Sequence, residues 1–312
     1  MNFVNFVPGT RAAIAALMLN DNALEVRFWG VRGSLPSPGN ETALVGGNTS
    51  CVEVTCAGTR IVLDAGSGIR ALGDMLVERA EHREVSLLLS HAHWDHVMGL
   101  PFFAPLYRAE SHVTVMCGPL GSNACIRDVL RAQMAQPLFP VSFDAVGARV
   151  ETVDLQAGTR FRIGTLAVTT LLLTHPDPVV AYRIDSWGGR SIVYATDTEH
   201  VEGRIDEQLV KLSRGADVLI YDAQYTPEEY RGEDGPSRRG WGHSTFEAGA
   251  AIARAAHVRT LALFHHDPKR TDEAVADIVK RARLSFPSTV AAREGQSIRL
   301  EHDQPARTEQ AL

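Results

Sequence analysis

The sequence predicts an α+β fold: two mixed β-sheets packed face to face with helices on their outer sides, a four-layer αββα sandwich. Three observations lead there. Strand-like runs recur at short intervals along all 312 residues. The early runs are spaced like hairpins, and the later ones alternate with helical patterns. Hydrophobic residues make up 45% of the chain, enough for a large shared core.

The elements follow in chain order. Residues 1–22 read as an N-terminal extension, with a short helix or an extended start over the apolar run Arg11 to Leu19. That run is far shorter than the roughly 20 apolar residues needed to span a bilayer. No basic segment precedes it, so it does not read as a signal peptide. β-branched and aromatic enrichment marks strands at Leu24 to Trp29, Cys51 to Thr55, Arg60 to Leu63, Val85 to Leu89 and His112 to Cys117. More strands are expected at Leu166 to Leu173, Val179 to Ile184, Ser191 to Ala195, Val218 to Tyr221, Thr260 to Phe264 and Ser297 to Leu300. Helical periodicity appears over Ile69 to Arg79, Asn123 to Ala135, Arg204 to Arg214, Thr245 to Ala256 and Asp272 to Ser285. Ser244 or Thr245, followed by Glu247, has the form of a helix cap with an acidic first turn. No composition shift marks an internal boundary. We therefore expect one domain over residues 23–301, with a long insertion near 118–150 and a polar, disordered tail at 302–312.

Charge and cysteine content narrow the function classes. A net charge of -6 supplies no general basic field for gathering nucleic acid. Four cysteines are too few for a disulfide scaffold in a chain of this length. Cys51 and Cys56, five apart on one strand-like run, fall on opposite faces and suit buried thiols better than a bridge. A reducing, cytoplasmic setting is expected.

The chemistry concentrates in Ser90-His91-Ala92-His93-Trp94-Asp95-His96, directly after the buried run Val85 to Leu89. In an extended segment His91 and His93 project to the same side. Asp95 and His96 follow where the chain turns, so they address a second point nearby. Imidazole and carboxylate together suit zinc, with manganese or iron as alternatives. Further candidate ligands share one pattern, an apolar strand with the ligand at its exit. His175 follows Leu171 to Thr174, Asp197 follows Ser191 to Thr196, and His265 follows Leu261 to Phe264. His266 is adjacent to His265 and competes with it, because strand register decides which of the two faces the site.

These markers, with Leu63-Asp64-Ala65-Gly66 and Thr196-Asp197-Thr198, resemble the metallo-β-lactamase superfamily of dinuclear hydrolases from about Val26 to Leu300. The resemblance implies that fold and a two-cation site. His91, His93 and His175 would hold one ion, Asp95, His96 and His265 the other, and Asp197 would bridge them. It favours His265 over His266. An aspartate at the bridging position, rather than a Cys ligand, is similar to the phosphodiesterase and lactonase branches. Asp64 is expected behind the ligands, accepting the second N–H of one ligand His.

Gly240-Trp241-Gly242-His243-Ser244-Thr245 resembles the His-Ser-Thr element of the ribonuclease Z and phosphonate-pathway cyclic phosphodiesterase branch. There the His protonates the leaving oxygen and precedes the last metal His by 22 residues, as His243 precedes His265 here. Val218 to Tyr225 is similar to the element that carries that acid's carboxylate partner. Asp222 occupies the position of a Glu, one methylene shorter, which puts the pair's geometry in question. The loops Gly30 to Gly39 and Gly46 to Ser50 resemble loops near the metals in this branch, and their backbone N–H groups are candidates for meeting an anionic substrate. The apolar run Pro101 to Tyr107 is read as a pocket wall, an oligomer contact such as a homodimer face, or ordinary core.

Together these implications describe a phosphodiesterase. A metal-bridging hydroxide attacks phosphorus, Asp95 orients or deprotonates it, and His243 acts as general acid with Asp222 behind it. A small cyclic or linear diester is the expected substrate. The 118–150 segment has none of the glycine- and lysine-rich character of the arm that grips tRNA in ribonuclease Z, so nucleic acid and membrane partners are not expected. A lactonase or thioesterase of the same fold is the main alternative, followed by a tRNA 3′-processing endonuclease and a silent binding module.

Overall fold

In the computed structural model, residues 23–121 and 124–301 are described; the expectations for 1–22 and 302–312 lie outside them. In chain order the strands are β1 (Leu24–Gly30), β2 (Cys51–Cys56), β3 (Thr59–Leu63), β4 (Glu84–Leu89), β5 (His112–Cys117), β6 (Arg149–Asp154) and β7 (Arg160–Ile163). They continue as β8 (Leu166–Leu173), β9 (Val179–Ser186), β10 (Ser191–Ala195), β11 (Val218–Asp222), β12 (Thr260–Phe264), β13 (Thr289–Ala291) and β14 (Ser297–Leu300). Two seven-stranded sheets result, ordered β14-β1-β2-β3-β4-β5-β6 and β13-β12-β11-β10-β9-β8-β7.

Both sheets follow one plan. An antiparallel meander comes first, β1 to β3 in one sheet and β7 to β10 in the other. Parallel pairs follow, β3 through β6 and β10 through β13. Parallel neighbours need crossovers; helices supply five of the six, at Ile69–Glu78, Ile126–Gln133, Glu207–Ser213, Phe246–Ala255 and Asp272–Ser285, while β4 reaches β5 through short helical turns between Trp94 and Tyr107. Strands β3, β4, β10, β11 and β12 therefore run out at one edge. Antiparallel pairing through β9 brings β8 to that same edge. This is where open α/β sheets gather their ligands.

Side-chain alternation divides the core. Val26, Phe28, Val54, Leu63 and Leu88 meet Val168, Tyr182, Tyr194, Ile220 and Phe264 between the sheets. Val85, Leu87 and Leu89 point the other way, onto Ile69, Leu72, Leu76, Ile126 and Leu130. Each such buried aliphatic contributes roughly 1.5–3 kcal/mol of transfer free energy. Cys51 packs in the outer cluster and Cys56 in the inner one, with no disulfide between them.

The structure corrects the reading of 118–150 as an insertion. Residues Ile126–Gln133 form a crossover helix whose Ile126 and Leu130 are fully buried, and the chain then enters β6, parallel to β5. The segment is thus one of the outer layers. Strands β6, β7 and β13 were not expected. β6 and β7 alternate between exposed and half-buried residues at sheet edges, so they lack an apolar run. The apolar run after the metal-motif residues divides as well: Pro101, Phe103 and Leu106 are buried, while Phe102 and Tyr107 are exposed.

Candidate metal centre

Strand exits build the centre. Just past β4, the rings of His91 and His93 lie 4.4 Å apart, and His175, just past β8, sits 5.2 and 5.1 Å from them. Asp95 and His96 fall in the one-turn helix Trp94–Val97, whose N-cap is His93. That turn swings them away from His91 and His93, towards Asp197 and His265. In this second group His96 Nε2 lies 3.2 Å from Asp95 Oδ2 and 3.2 Å from Asp197 Oδ2. His265 Nε2 lies 3.1 and 3.3 Å from the same two oxygens. The other oxygen of Asp197, Oδ1, faces His91 Nε2 at 3.9 Å. One carboxylate therefore presents an oxygen to each group.

Left-handed backbone marks the same exits. Asp64, Asp197 and His265 have φ of 61°, 51° and 59°. This conformation costs non-glycine residues energy and is held only where the surroundings over-determine it. For His265 the turn settles the register. Its imidazole enters the ligand group, whereas His266 Nε2 points at Ala292 O, 3.1 Å away. Burial, the adjacent Arg32 charge and then other neighbours push the His266 pKa down to about 3.

Electrostatics match a ligand cluster. Burial and the neighbouring His96 hold His91 neutral, well below the usual imidazole range, so its lone pairs stay available. Burial opposes ionisation of Asp95 and Asp197, but the surrounding histidines outweigh it and hold both carboxylates well below their usual range. His91 Nε2 is buried without a hydrogen-bond partner. An unpaired buried acceptor of this kind costs about 1–3 kcal/mol unless something binds it. Ligand atoms of His91, His93 and His175 lie within 4.8 Å of one another, as do those of Asp95, His96, Asp197 and His265. This mixed nitrogen and oxygen set, with an orphaned imidazole nitrogen, fits divalent cations.

Behind the ligands, Asp64 is fully buried at the end of β3. Its Oδ2 accepts from His96 Nδ1 at 2.7 Å, Tyr194 Oη at 2.7 Å and Ser90 Oγ at 2.9 Å. Its Oδ1 accepts the Ser90 N–H at 2.6 Å. With Nδ1 so committed, His96 offers Nε2 to the cluster. Tyr194 is a member that sequence reasoning missed, because an inward Tyr on a strand reads as ordinary core.

His243 stands over both groups, its ring 5.9 Å from that of His175 and 5.0 Å from that of His265. Its Nδ1 lies 2.9 Å from Asp222 Oδ2. The shorter side chain reaches because Asp222 ends β11 in register with Phe264, next to the site, and it also holds the residue after His243 through the Ser244 N–H at 3.1 Å. Burial works against a charge on His243, but Asp222, by charge and hydrogen bond, and then Asp197 outweigh it, pushing the pKa up to about 9. Cations seated on Asp197 and Asp95 would oppose that rise.

The glycine-rich loop is at the site, and its first part, Val31 to Leu35, offers no N–H group to an anion. Val31 and Arg32 donate to Asn48 O, Gly33 to His266 O and Leu35 to Gly33 O, while the Ser34 N–H goes to Asp95 Oδ2 at 2.7 Å. All N–H groups from Val31 to Leu35 are thus used within the protein. The loop's role is support: a Cβ on Gly33 would stand 2.5 Å from His265 Nδ1. Buried Arg32 anchors it, donating to Gly46 O, Asp267 O and Arg270 O.

Two further residues were not anticipated. Asp177 Oδ2 lies 2.9 Å from His93 Nε2, and its backbone O lies 3.0 Å from His175 Nδ1. Glu199 reaches the loop before His243. Neither stands in an apolar or histidine-rich context that would single it out.

Residues 59–266 match the family model described as a beta-lactamase superfamily domain. The chain belongs to the metallo-β-lactamase superfamily. The superfamily's fold, two mixed sheets between helical layers, is the architecture described above. A Mycobacterium leprae protein, ML1173, is 32% identical over 237 residues, 74% of this chain and 75% of that protein. Ribonuclease Z of Bradyrhizobium sp. (strain ORS 278) is 26% identical over 317 residues, covering 85% of this chain and 96% of the enzyme. The crystal structure of a diphosphatase from the PhnP family superposes with a TM-score of 0.62 over 88% of this chain and 97% of that one, at 16% identity. At that identity the likeness is one of fold within the superfamily.

Proposed function

We propose that this chain is a metal-dependent hydrolase that cleaves small cyclic or linear phosphodiesters. Its cations would be zinc, with manganese or iron as alternatives. His91, His93 and His175 would hold one, Asp95, His96 and His265 the other, with Asp197 between them. When bound, such ions acidify water and neutralise charge on a phosphate.

The observation that carries the reading is His243 on Asp222, 2.9 Å apart at the open side of the ligand groups. Asp222 Oδ2 holds the proton on Nδ1, which leaves Nε2 to deliver one to a leaving oxygen. An alkoxide leaves poorly, so phosphodiesters gain much from that donor. A lactonase or thioesterase has less use for it. Asp95, held by the Ser34 N–H, is positioned to orient the attacking water. Beside the acid, the Arg238 guanidinium lies 4.5 Å from the Trp241 ring, giving the rim a cation for an anionic ester.

A small substrate is favoured because residues 126–133 fold down as an outer helix instead of projecting as an arm. Kinship with ribonuclease Z supports a second reading, cleavage of RNA. The metal-loaded protein should be assayed on cyclic nucleotides, linear alkyl diesters, lactones, thioesters and precursor tRNA. Turnover of the small diesters is expected. Turnover of lactones or thioesters alone overturns the proposal, and turnover of precursor tRNA alone selects the second reading. A cytoplasmic location fits this chemistry; among the described residues no helix is long and apolar enough to cross a membrane.

A further inference from the structure

We propose that Glu199 is a positioning residue that sets how closely the proton donor approaches the ligand groups. The inference rests on the reading of His243 as general acid. Glu199 stands two residues after Asp197, and its own N–H donates to Thr174 O at 2.7 Å, immediately before His175. Its backbone is therefore tied to both ligand groups. Its carboxylate reaches the other way. Oε1 accepts the Gly240 N–H at 2.6 Å and Tyr230 Oη at 2.8 Å, and Oε2 accepts the Gly242 N–H at 2.8 Å. Both glycines have left-handed backbone, φ 83° and 86°, and they flank Trp241 directly before His243. A Cβ on Gly242 would stand 2.2 Å from the His175 ring, so the loop is seated on a ligand.

Two separate controls then act on the acid. Asp222 orients the ring through Nδ1, and Glu199 holds the backbone leading into it. A carboxylate is required because the Gly240 and Gly242 N–H groups need one oxygen each, while the Tyr230 hydroxyl can also turn to His200 O, 3.0 Å away. Glutamine has the same shape but one oxygen. Its amide NH2 would face the Gly242 N–H in one orientation or the Gly240 N–H in the other, a donor against a donor in either case.

The test compares Glu199→Gln and His243→Ala on one alkyl and one activated aryl phosphodiester. Metal content is measured throughout, with hydrogen–deuterium exchange over residues 240–244. A misplaced catalytic group costs up to about 100-fold, so Glu199→Gln should lose roughly 10–100-fold in kcat on the alkyl ester. The aryl ester, KM and metal content should be nearly unchanged, and exchange should rise in residues 240–244. Equal losses on both esters, a fall in metal content, or unchanged exchange would overturn the inference while leaving the acid intact. If His243→Ala itself shows no preference between the esters, the reading of the acid fails and this inference falls with it.

Discussion

Asp222 holds His243 twice: its Oδ2 lies 2.9 Å from the ring Nδ1, and its Oδ1 accepts the next residue's N–H at 3.1 Å. Oδ2 also accepts the N–H of Asp197 at 3.0 Å. The residue that would orient the proposed acid and the carboxylate that faces both candidate ligand groups are thereby joined by one hydrogen bond. Asp222→Asn should break it, since an amide placed against Nδ1–H or the Asp197 N–H is a donor facing a donor. Loss of kcat by about 10²–10⁴-fold on alkyl diesters is expected, the range for a disabled acid–base pair. Steady-state kinetics with metal content as control check this; full activity would remove Asp222 from the mechanism.

His243→Ala should lower kcat by roughly 10²–10⁴-fold on alkyl diesters and far less on activated aryl ones. Bond breaking to a good leaving group needs little proton donation. A series of esters of graded leaving-group pKa measures the difference as a steeper dependence in the variant.

Cation binding should stabilise the fold by mass action, about 2.7 kcal/mol at a hundredfold excess over Kd. In Asp197→Asn the stabilisation should shrink sharply, because the amide keeps one oxygen and turns its NH2 towards one of the two groups. Thermal melts against zinc or manganese concentration, with bound metal counted after dialysis, provide the check. Equal binding by both proteins would exclude Asp197 as a ligand.

Asp64→Ala leaves Tyr194 O–H and Ser90 N–H unpaired in the core. At about 1–3 kcal/mol for each orphan, the cost should be roughly 2–6 kcal/mol. Freed from its anchor, His96 should bind metal about 10–100-fold more weakly. Urea denaturation and metal titration separate the two effects.

Gly33→Ala would put a methyl 2.5 Å from His265 Nδ1 and 2.6 Å from Gln224 Oε1. The loop or His265 must yield, at about 1–3 kcal/mol for overpacking. Loss of roughly one metal per chain, measured by elemental analysis, is the expected signature.

Much of this was legible in the sequence, for a physical reason. Apolar strands followed at once by His or Asp announce both the sheet and a candidate ligand, which is why His175, Asp197 and His265 stand out in the sequence. Arg149–Asp154 did not, because an edge strand with one half-buried face needs no apolar run. The choice between His265 and His266 depended on a left-handed residue after β12, which periodicity does not encode. Glu199 and the Ser34 N–H were hidden because their role is to pair with backbone or side chains of distant segments. In the glycine-rich loop the N–H groups from Val31 to Leu35 are spent on partners from distant segments and on the loop itself, which composition does not show.

The centre draws on segments as far apart as Asp95 and His265, whose side chains approach to 3.1 Å across 170 positions of chain. No fragment containing one sheet alone holds both groups. If both groups hold cations as proposed, ordered binding is expected late in folding, after the two halves dock. A cobalt-substituted protein would carry a built-in reporter, because its ligand-field absorption in refolding experiments marks completion of the sandwich and not the appearance of its separate strands.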